Sequence, residues 1–491
     1  MTDAAAADLL VLLAVLTPFI GAALIPMFDR QPILRESVTL LTAAVLCALV
    51  LLLVSDVLAG ARPEFDVITT AVGLAVAFKL EPLGALFALV ASSLWIVNSI
   101  YSFGYMRANN EPRQTSFYVC FAIALGSTIG VAFAKNLFTF YLFYEALTIS
   151  TYPLVTHKKD ATALAAGRVY FLLLMGASLA LLLPAIVATW IIAGTLDFTA
   201  GGILADKASA GVIGVLLALY IFGIAKAAVI PVHFWLPAAM VAPTPVSALL
   251  HAVAVVKAGV FGIVKVCVMI FGIETLSAMG QSGWLTVVAG ATVVAASVVA
   301  LKQDNLKRRL AFSTVSQLSY IVLGVAILAP ISIVGAAIHL AAHALSKITL
   351  FFAAGSIYTA AHLTEISQLD GIGRRMPWTM GAFAVGALGM IGLPPTAGFL
   401  GKWFILSGAM QTANWVAVGV IIVSTLLNAG YFLPIVYRAF FCEPAGGAAA
   451  HGFSEAPWPI VFGLTATAAG TLAMFFFPEV FYALATSIMK E

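Results

Sequence analysis

The sequence predicts an all-α polytopic membrane protein of about fourteen transmembrane helices, on three observations. Hydrophobic residues make up 62% of the 491-residue chain and charged residues only 9%. A water-exposed surface of ordinary polarity needs about 25% charged residues, so most of this surface must face lipid. Apolar runs of spanning length recur throughout, separated by short polar breaks, and lysine and arginine are unevenly shared among those breaks.

In chain order, the first run covers 8–27. The preceding MTDAAAADLL is acidic and lacks the positive start of a signal peptide, so the run is expected as a retained helix. Spans follow at 38–59, 83–103, 117–134, 136–155, 168–193 and 211–230, each apolar and bounded by polar or Pro/Gly residues. The rest lie at 244–271, 283–301, 310–329, 332–358, 379–408, 413–438 and 457–478. The longest interruptions, 60–81 and 359–378, are short enough to be loops.

Orientation follows from the basic residues. Loops leaving odd-numbered helices hold Arg30, Arg35, Arg107, Arg113, Lys158, Lys159, Arg168, Lys302, Lys307, Arg308, Arg309, Arg374, Arg375 and Arg438. Loops leaving even-numbered helices hold only Arg62, Lys79, Lys135 and Lys207. The richer set is expected in the cytoplasm, which puts both termini on the other face of what would be a bacterial inner membrane.

Two long apolar stretches are interrupted. One contains Pro231-Val232-His233-Phe234-Trp235-Leu236-Pro237, the other Gly392-Leu393-Pro394-Pro395-Thr396-Ala397-Gly398. They fall in helices 7 and 12. The separation is about five helices, an odd number, so the chain is expected to hold two five-helix units inverted relative to each other.

Lys226, Lys257, Lys265, Lys347, Lys402 and Glu145 fall inside these helices. Each costs about 2.5–3.5 kcal/mol at mid-membrane, so the six must face protein or water rather than lipid. Glu145 sits near mid-depth, and Lys226 precedes the first break by five residues. His251 and Lys257 share one helix, where Lys265, near the end, is expected to snorkel. His339, His343 and Lys347 recur at i, i+4 and i+8 on one face. Zinc would suit the histidine spacing, but a lysine neighbour and no third ligand favour a wetted polar stripe for protons. Lys402 follows the second break. A buried lysine near a second cation gives up its proton readily, and a nearby carboxylate reverses this, so such a row can couple charge movements.

Six segments occur in a telling order: LFYEALTISTYPL, PVHFWLP, APTPVSALLHAVAVVKAGV, DNLKRRLAFSTVSQLSY, HLAAHALSKITLFFAAG and IGLPPTAGFLGKW. Over roughly 80–480 the chain resembles the antiporter-like subunit family, which includes the large membrane subunits of respiratory complex I, Mrp cation/proton antiporters and membrane hydrogenases. The resemblance implies inverted repeats of helices 4–8 (117–272) and 9–13 (273–440), after helices 1–3 (1–116) and before helix 14 (441–491). It further implies Glu145 and Lys226 as a proton-coupling pair, a central axis of His251, Lys257, His343 and Lys347 that His339 could join, and Lys402 as terminal lysine. Lys402 departs from the glutamate expected of one complex I homologue. Gly371-Ile372-Gly373-Arg374-Arg375-Met376-Pro377 and the overall size look most similar to the D component of the Mrp antiporters.

The expected function is therefore a transporter subunit carrying protons beside Na+ or another monovalent cation, with other membrane subunits as partners. The alternative is a pump module of a redox complex. The four cysteines lie far apart without metal or disulfide spacing, and no dinucleotide or haem motif is present, so neither cofactor nor metal is expected. A net charge of +3, scattered through short loops, gives no reason to expect a nucleic-acid partner.

Overall fold

The computed structural model of the chain describes residues 2–69, 74–443 and 454–490. Helices α1 (Thr2–Leu24) and α2 (Pro32–Leu58) lead to an antiparallel hairpin of β1 (Glu64–Thr69) and β2 (Ala75–Lys79). Then come α3 (Pro82–Ala108), α4 (Gln114–Ala132), α5 (Leu137–Val155) and α6 (Ala161–Ala193, with a π turn at Ser178–Leu182). After α7 (Ala210–Gly223) the chain runs through short turns to α8 (Thr244–Phe271). It continues as α9 (Ser282–Leu301), α10 (Leu306–Ala326), α11 (Pro330–Ala361), α12 (Pro377–Ile391) and α13 (Ala397–Gln411). The last helices are α14 (Trp415–Phe441), α15 (Trp458–Phe476) and the short α16 (Glu479–Ser487). Among the described residues, eleven helices are long and apolar enough to cross a bilayer.

Local sequence sets the helix starts. Asn136, Asp160, Asn305 and Asn414 each accept a backbone N–H three residues on, capping α5, α6, α10 and α14. Pro32, Pro82, Pro330 and Pro377 open α2, α3, α11 and α12, where a missing N–H costs nothing. Several boundaries differ from expectation: Arg35, Arg107, Lys307, Arg308, Arg309 and Arg438, expected in loops, lie in helix ends, and the 379–408 span is two helices. The 60–81 interruption, read as a loop, contains the hairpin, and Arg168, read as a loop residue, lies exposed within α6. The hairpin's alternation was hidden because its outer strand is exposed on both faces.

The helices separate into interior and rim. The apolar stretch of α8 is 100% buried within the chain, while that of α6 is only 28% buried. The interior helices α8 and α11 carry Lys257, Lys265 and Lys347, and α10 receives Lys347. A helix enclosed on all sides can hold polar groups without presenting them to lipid.

Both breaks are real and differ from expectation in one respect. Helix α7 opens at Ile224, before Lys226, so Lys226 lies within the break, on a short 3-10 turn that ends at Ala228 with φ +55°. At the second break α12 ends on Gly392, φ +87°, and α13 starts after Thr396. Glycine lets the neighbouring backbone close on each. A Cβ on Gly259 of α8 would lie 2.2 Å from Ala227 N, and one on Gly398 would lie 1.8 Å from Gly389 O. Any side chain at either position would push the break apart.

Candidate functional site

The second break shows how sequence creates a site. Met390 O and Ile391 O would normally accept the N–H groups of residues 394 and 395, but both are prolines and have none. Lys402 takes their place. Its Nζ donates to Met390 O at 2.8 Å and to Ile391 O at 3.0 Å, and lies 4.6 Å from the centre of the Tyr320 ring. Lysine thus caps a helix end inside the fold.

At the first break the fully buried Lys226 Nζ donates to Tyr144 O at 2.8 Å and Thr148 Oγ1 at 2.7 Å, and rests 3.1 Å from the Tyr144 ring centre. Each bond from a charged donor contributes about 1.5–3 kcal/mol. Two of them offset the roughly 2.5–3.5 kcal/mol of placing a lysine at mid-membrane, so a neutral cradle suffices.

Glu145 is close enough to act on Lys226 electrostatically, but the two form no ion pair among the described residues. Both Glu145 carboxylate oxygens are buried and receive no hydrogen bond from a described group. The residue is half-buried, flanked on its helix face by Leu142 and Ile149, which are 40% and 57% exposed. The expected coupling pair is therefore in range without contact, and the acid stands near the rim.

The centre of the site joins two helices. Lys257 Nζ on α8 lies 2.6 Å from His343 Nδ1 on α11, and both residues are fully buried. His251, Lys257, His339 and Lys347 all lie near enough to His343 to interact with it electrostatically. His251 packs against the Phe351 ring at 4.7 Å, and neither of its ring nitrogens meets a described partner.

The i, i+4, i+8 stripe on α11 diverges in space. His339 Nε2 meets Gln317 Oε1 at 3.0 Å, His343 turns to Lys257, and Lys347 Nζ donates to Ser313 Oγ at 2.7 Å and Leu310 O at 3.0 Å. Gln317 takes one ring nitrogen of His339 and Lys257 one of His343, and the other nitrogen of each ring meets no described partner. Among the described residues no set of three histidine, cysteine or acidic side chains is placed to hold a metal.

Sequence reasoning missed the groups that receive these cations: Tyr144, Thr148, Ser313, Gln317 and Tyr320. A signal was present. Ser313, Gln317 and Tyr320 follow one face of α10 at i, i+4 and i+7, a polar stripe in a buried helix. Lys265 is a correction. It is 1% exposed and does not snorkel, because Glu81 at the head of α3 reaches its Nζ at 3.0 Å. Glu81 lies just before the expected span 83–103.

Residues 134–428 match the family described as "NADH:quinone oxidoreductase/Mrp antiporter, TM". The chain belongs to this family. Among curated relatives, this antiporter-like chain is 33% identical over 370 residues to NADH-quinone oxidoreductase subunit N of Desulforudis audaxviator, covering 74% of this chain and 72% of that one. It is 30% identical over 417 residues to hydrogenase-4 component B of Escherichia coli, covering 80% of this chain and 61% of the other. It matches 52% of the length of a Picosynechococcus NAD(P)H-quinone oxidoreductase chain 5, so it spans from about half to three-quarters of these relatives. A chain of the Mrp complex from Dietzia sp. superimposes with a TM-score of 0.85 at 23% identity, covering 100% of this chain and 97% of that one. A chain of an archaeal membrane-bound sulfane sulfur reductase does so with the same score over 98% and 97%. At 23% identity these two likenesses concern the fold. The chain is thus an antiporter-like membrane subunit, and the expectation of a helical membrane protein holds but for the one hairpin.

Proposed function

We propose that this chain is the proton-translocating subunit of a multisubunit Na+/proton antiporter, resembling the D component of the Mrp complexes. Protons would pass along Glu145, Lys226, His251, Lys257, His339, His343, Lys347 and Lys402, across two inverted units at 117–272 and 273–440. The observation that carries the reading is the Lys257–His343 contact. In an N···N contact of 2.6 Å either nitrogen can be the donor, so one proton can change owner with little movement of the heavy atoms. Lys226, Lys347 and Lys402 meet oxygen acceptors, and among the described residues Lys257 has a titratable nitrogen as its hydrogen-bond partner. The exposed apolar side chains beside Glu145, Leu142 and Ile149, support a lipid- or subunit-facing surface on this helix.

A second reading, a pump module of a complex I-like or hydrogenase complex, draws support from the names of the curated relatives. Purification of the native assembly into proteoliposomes separates the two. An antiporter should acidify or alkalinise the lumen when a Na+ gradient is imposed, with no redox substrate. Pumping that starts only when reductant and quinone are added would favour the redox complex.

The loop with Lys302, Lys307, Arg308 and Arg309 is proposed to be cytoplasmic, with the termini on the opposite face. A cysteine placed at the exposed Lys302 should resist an impermeant thiol reagent on intact cells and react once the membrane is opened. Labelling from outside would reverse the orientation.

A further inference from the structure

Lys265 and Glu81 have no part in the axis described above, yet they form a buried ion pair inside a membrane protein. Glu81 is 3% exposed, and its Oε2 lies 3.0 Å from Lys265 Nζ, which also donates to Ala134 O at 2.7 Å and faces the Phe198 ring at 4.2 Å. The other oxygen, Oε1, is 3.8 Å from Lys79 Nζ, whose side chain is 31% exposed at the end of β2. Exposure therefore rises stepwise from Lys265 to Glu81 to Lys79. Beside the hairpin lies a cavity of about 230 Å³ lined by Asp66, Lys135, Asn136 and Asp197, polar and roomy enough for several waters. Lys135, at its rim, is already matched by Glu64 and Asp66 at 3.3 and 3.1 Å.

The inner end of this chain of charges points at the axis. Lys265 follows Lys257 by eight residues on α8, a rise of about 12 Å. Helix α3 runs antiparallel to α8, with Glu81 against Lys265, Phe87 against Phe261 (ring centres 5.1 Å apart) and Tyr105 against Thr244 at 3.5 Å. The two phenylalanine rings thus lie between the level of Lys257 and that of Lys265. Further along α3 sit Ser92, Trp95 and Asn98, buried, with the Trp95 indole nitrogen and both Asn98 amide atoms meeting no described partner. Polar groups stand above the aromatic pair and an ion pair stands below it.

We propose that Lys265, Glu81 and Lys79 form a proton outlet on the hairpin face, separated from the Lys257 axis by a Phe87–Phe261 plug. The proposal rests on the axis being a proton path. When the plug is hydrated, Lys265 gives a proton to Glu81: an N–H bond breaks and an O–H bond forms on Oε2. The carboxylic acid then loses that proton to water on the Lys79 side, and neutral Lys265 is recharged from the Lys257 side. Protons would then have an exit in the first unit, far along the chain from Lys402.

The test uses the complete assembly in proteoliposomes. Glu81→Gln keeps shape and an acceptor for Lys265 but cannot carry the proton, and should lower coupled proton transport by about tenfold or more. Phe87→Ala should raise passive proton leak by a similar factor, about tenfold, and adding Glu81→Gln should return it to baseline. The double variant Glu81→Gln/Lys265→Met removes both charges together, so thermal stability should recover relative to either single change while transport stays low. An ion pair serving only as an anchor predicts the reverse, with transport recovering alongside stability. Lys257→Ala, measured in parallel, reports on the axis. Loss of transport in Lys257→Ala with full transport in Glu81→Gln overturns the outlet alone; full transport in Lys257→Ala overturns the axis and the outlet it feeds.

Discussion

Glu145→Gln and Lys226→Ala should each abolish proton-coupled transport, by about a hundredfold or more, while the assembly still forms. The glutamine is nearly isosteric and leaves α5 packed, so the change removes one charge and little else. The carboxylate has no described hydrogen bond to lose, and its replacement should not destabilise the fold. What it does remove is the field that Lys226 feels. Because the two groups interact without contact, their coupling is Coulombic and acts through a poorly screened interior. Lys226→Ala deletes the other end and frees Tyr144 O and Thr148 Oγ1. Thr148→Val is a useful companion: it keeps volume but strips one of two acceptors from Lys226, and should shift transport less than Lys226→Ala. Proton uptake by proteoliposomes, with assembly checked by chromatography, reads all three. Normal uptake in Glu145→Gln would remove the pair from the mechanism.

The second large effect is expected at His343. Alanine there takes away the nitrogen 2.6 Å from Lys257 and breaks the only direct contact between the titratable groups of α8 and α11 among the described residues. Transport should fall by about a hundredfold. His343→Gln separates relay from packing, because its amide can hydrogen-bond Lys257 but cannot pass a proton through. Both variants should express and assemble near normally. Chelators should leave the unmodified protein unaffected, since His339 is held by Gln317 rather than aimed with His343 at one point. Activity lost to a chelator and regained with zinc would sink the relay in favour of ligation, and full activity in His343→Gln would route the proton elsewhere.

Much of this site could be read in advance, and the reasons differ by residue. The lysines stood out because charge in an apolar run is expensive and so cannot be accidental. The second break was equally plain from Pro394 and Pro395, and the structure added that Lys402 takes the Met390 and Ile391 carbonyls they leave free. Partners that are neutral in themselves were not visible. Tyr144, Thr148 and Ser313 look like ordinary helix residues until a lysine from another helix reaches them. Lys265 was misjudged for a related reason. Its depth suggested escape to water, but whether a lysine escapes depends on what stands between it and the surface, here Glu81 and Phe198.

By itself the sequence determined that this chain lives in a bilayer, roughly where its helices run, where two of them break, and most of the side chains that carry charge inside them. Each of these is a local property, fixed by apolar length, capping residues, missing proline N–H groups and the cost of a charge in lipid. Only the tertiary structure decided which groups meet. That His343 faces Lys257, that Lys226 is cradled by neutral oxygens rather than by Glu145, and that Glu81 closes over Lys265 all depend on how α3, α5, α8, α10 and α11 are turned against one another. Helix rotation and register come from packing over many side chains at once, and no short motif encodes them.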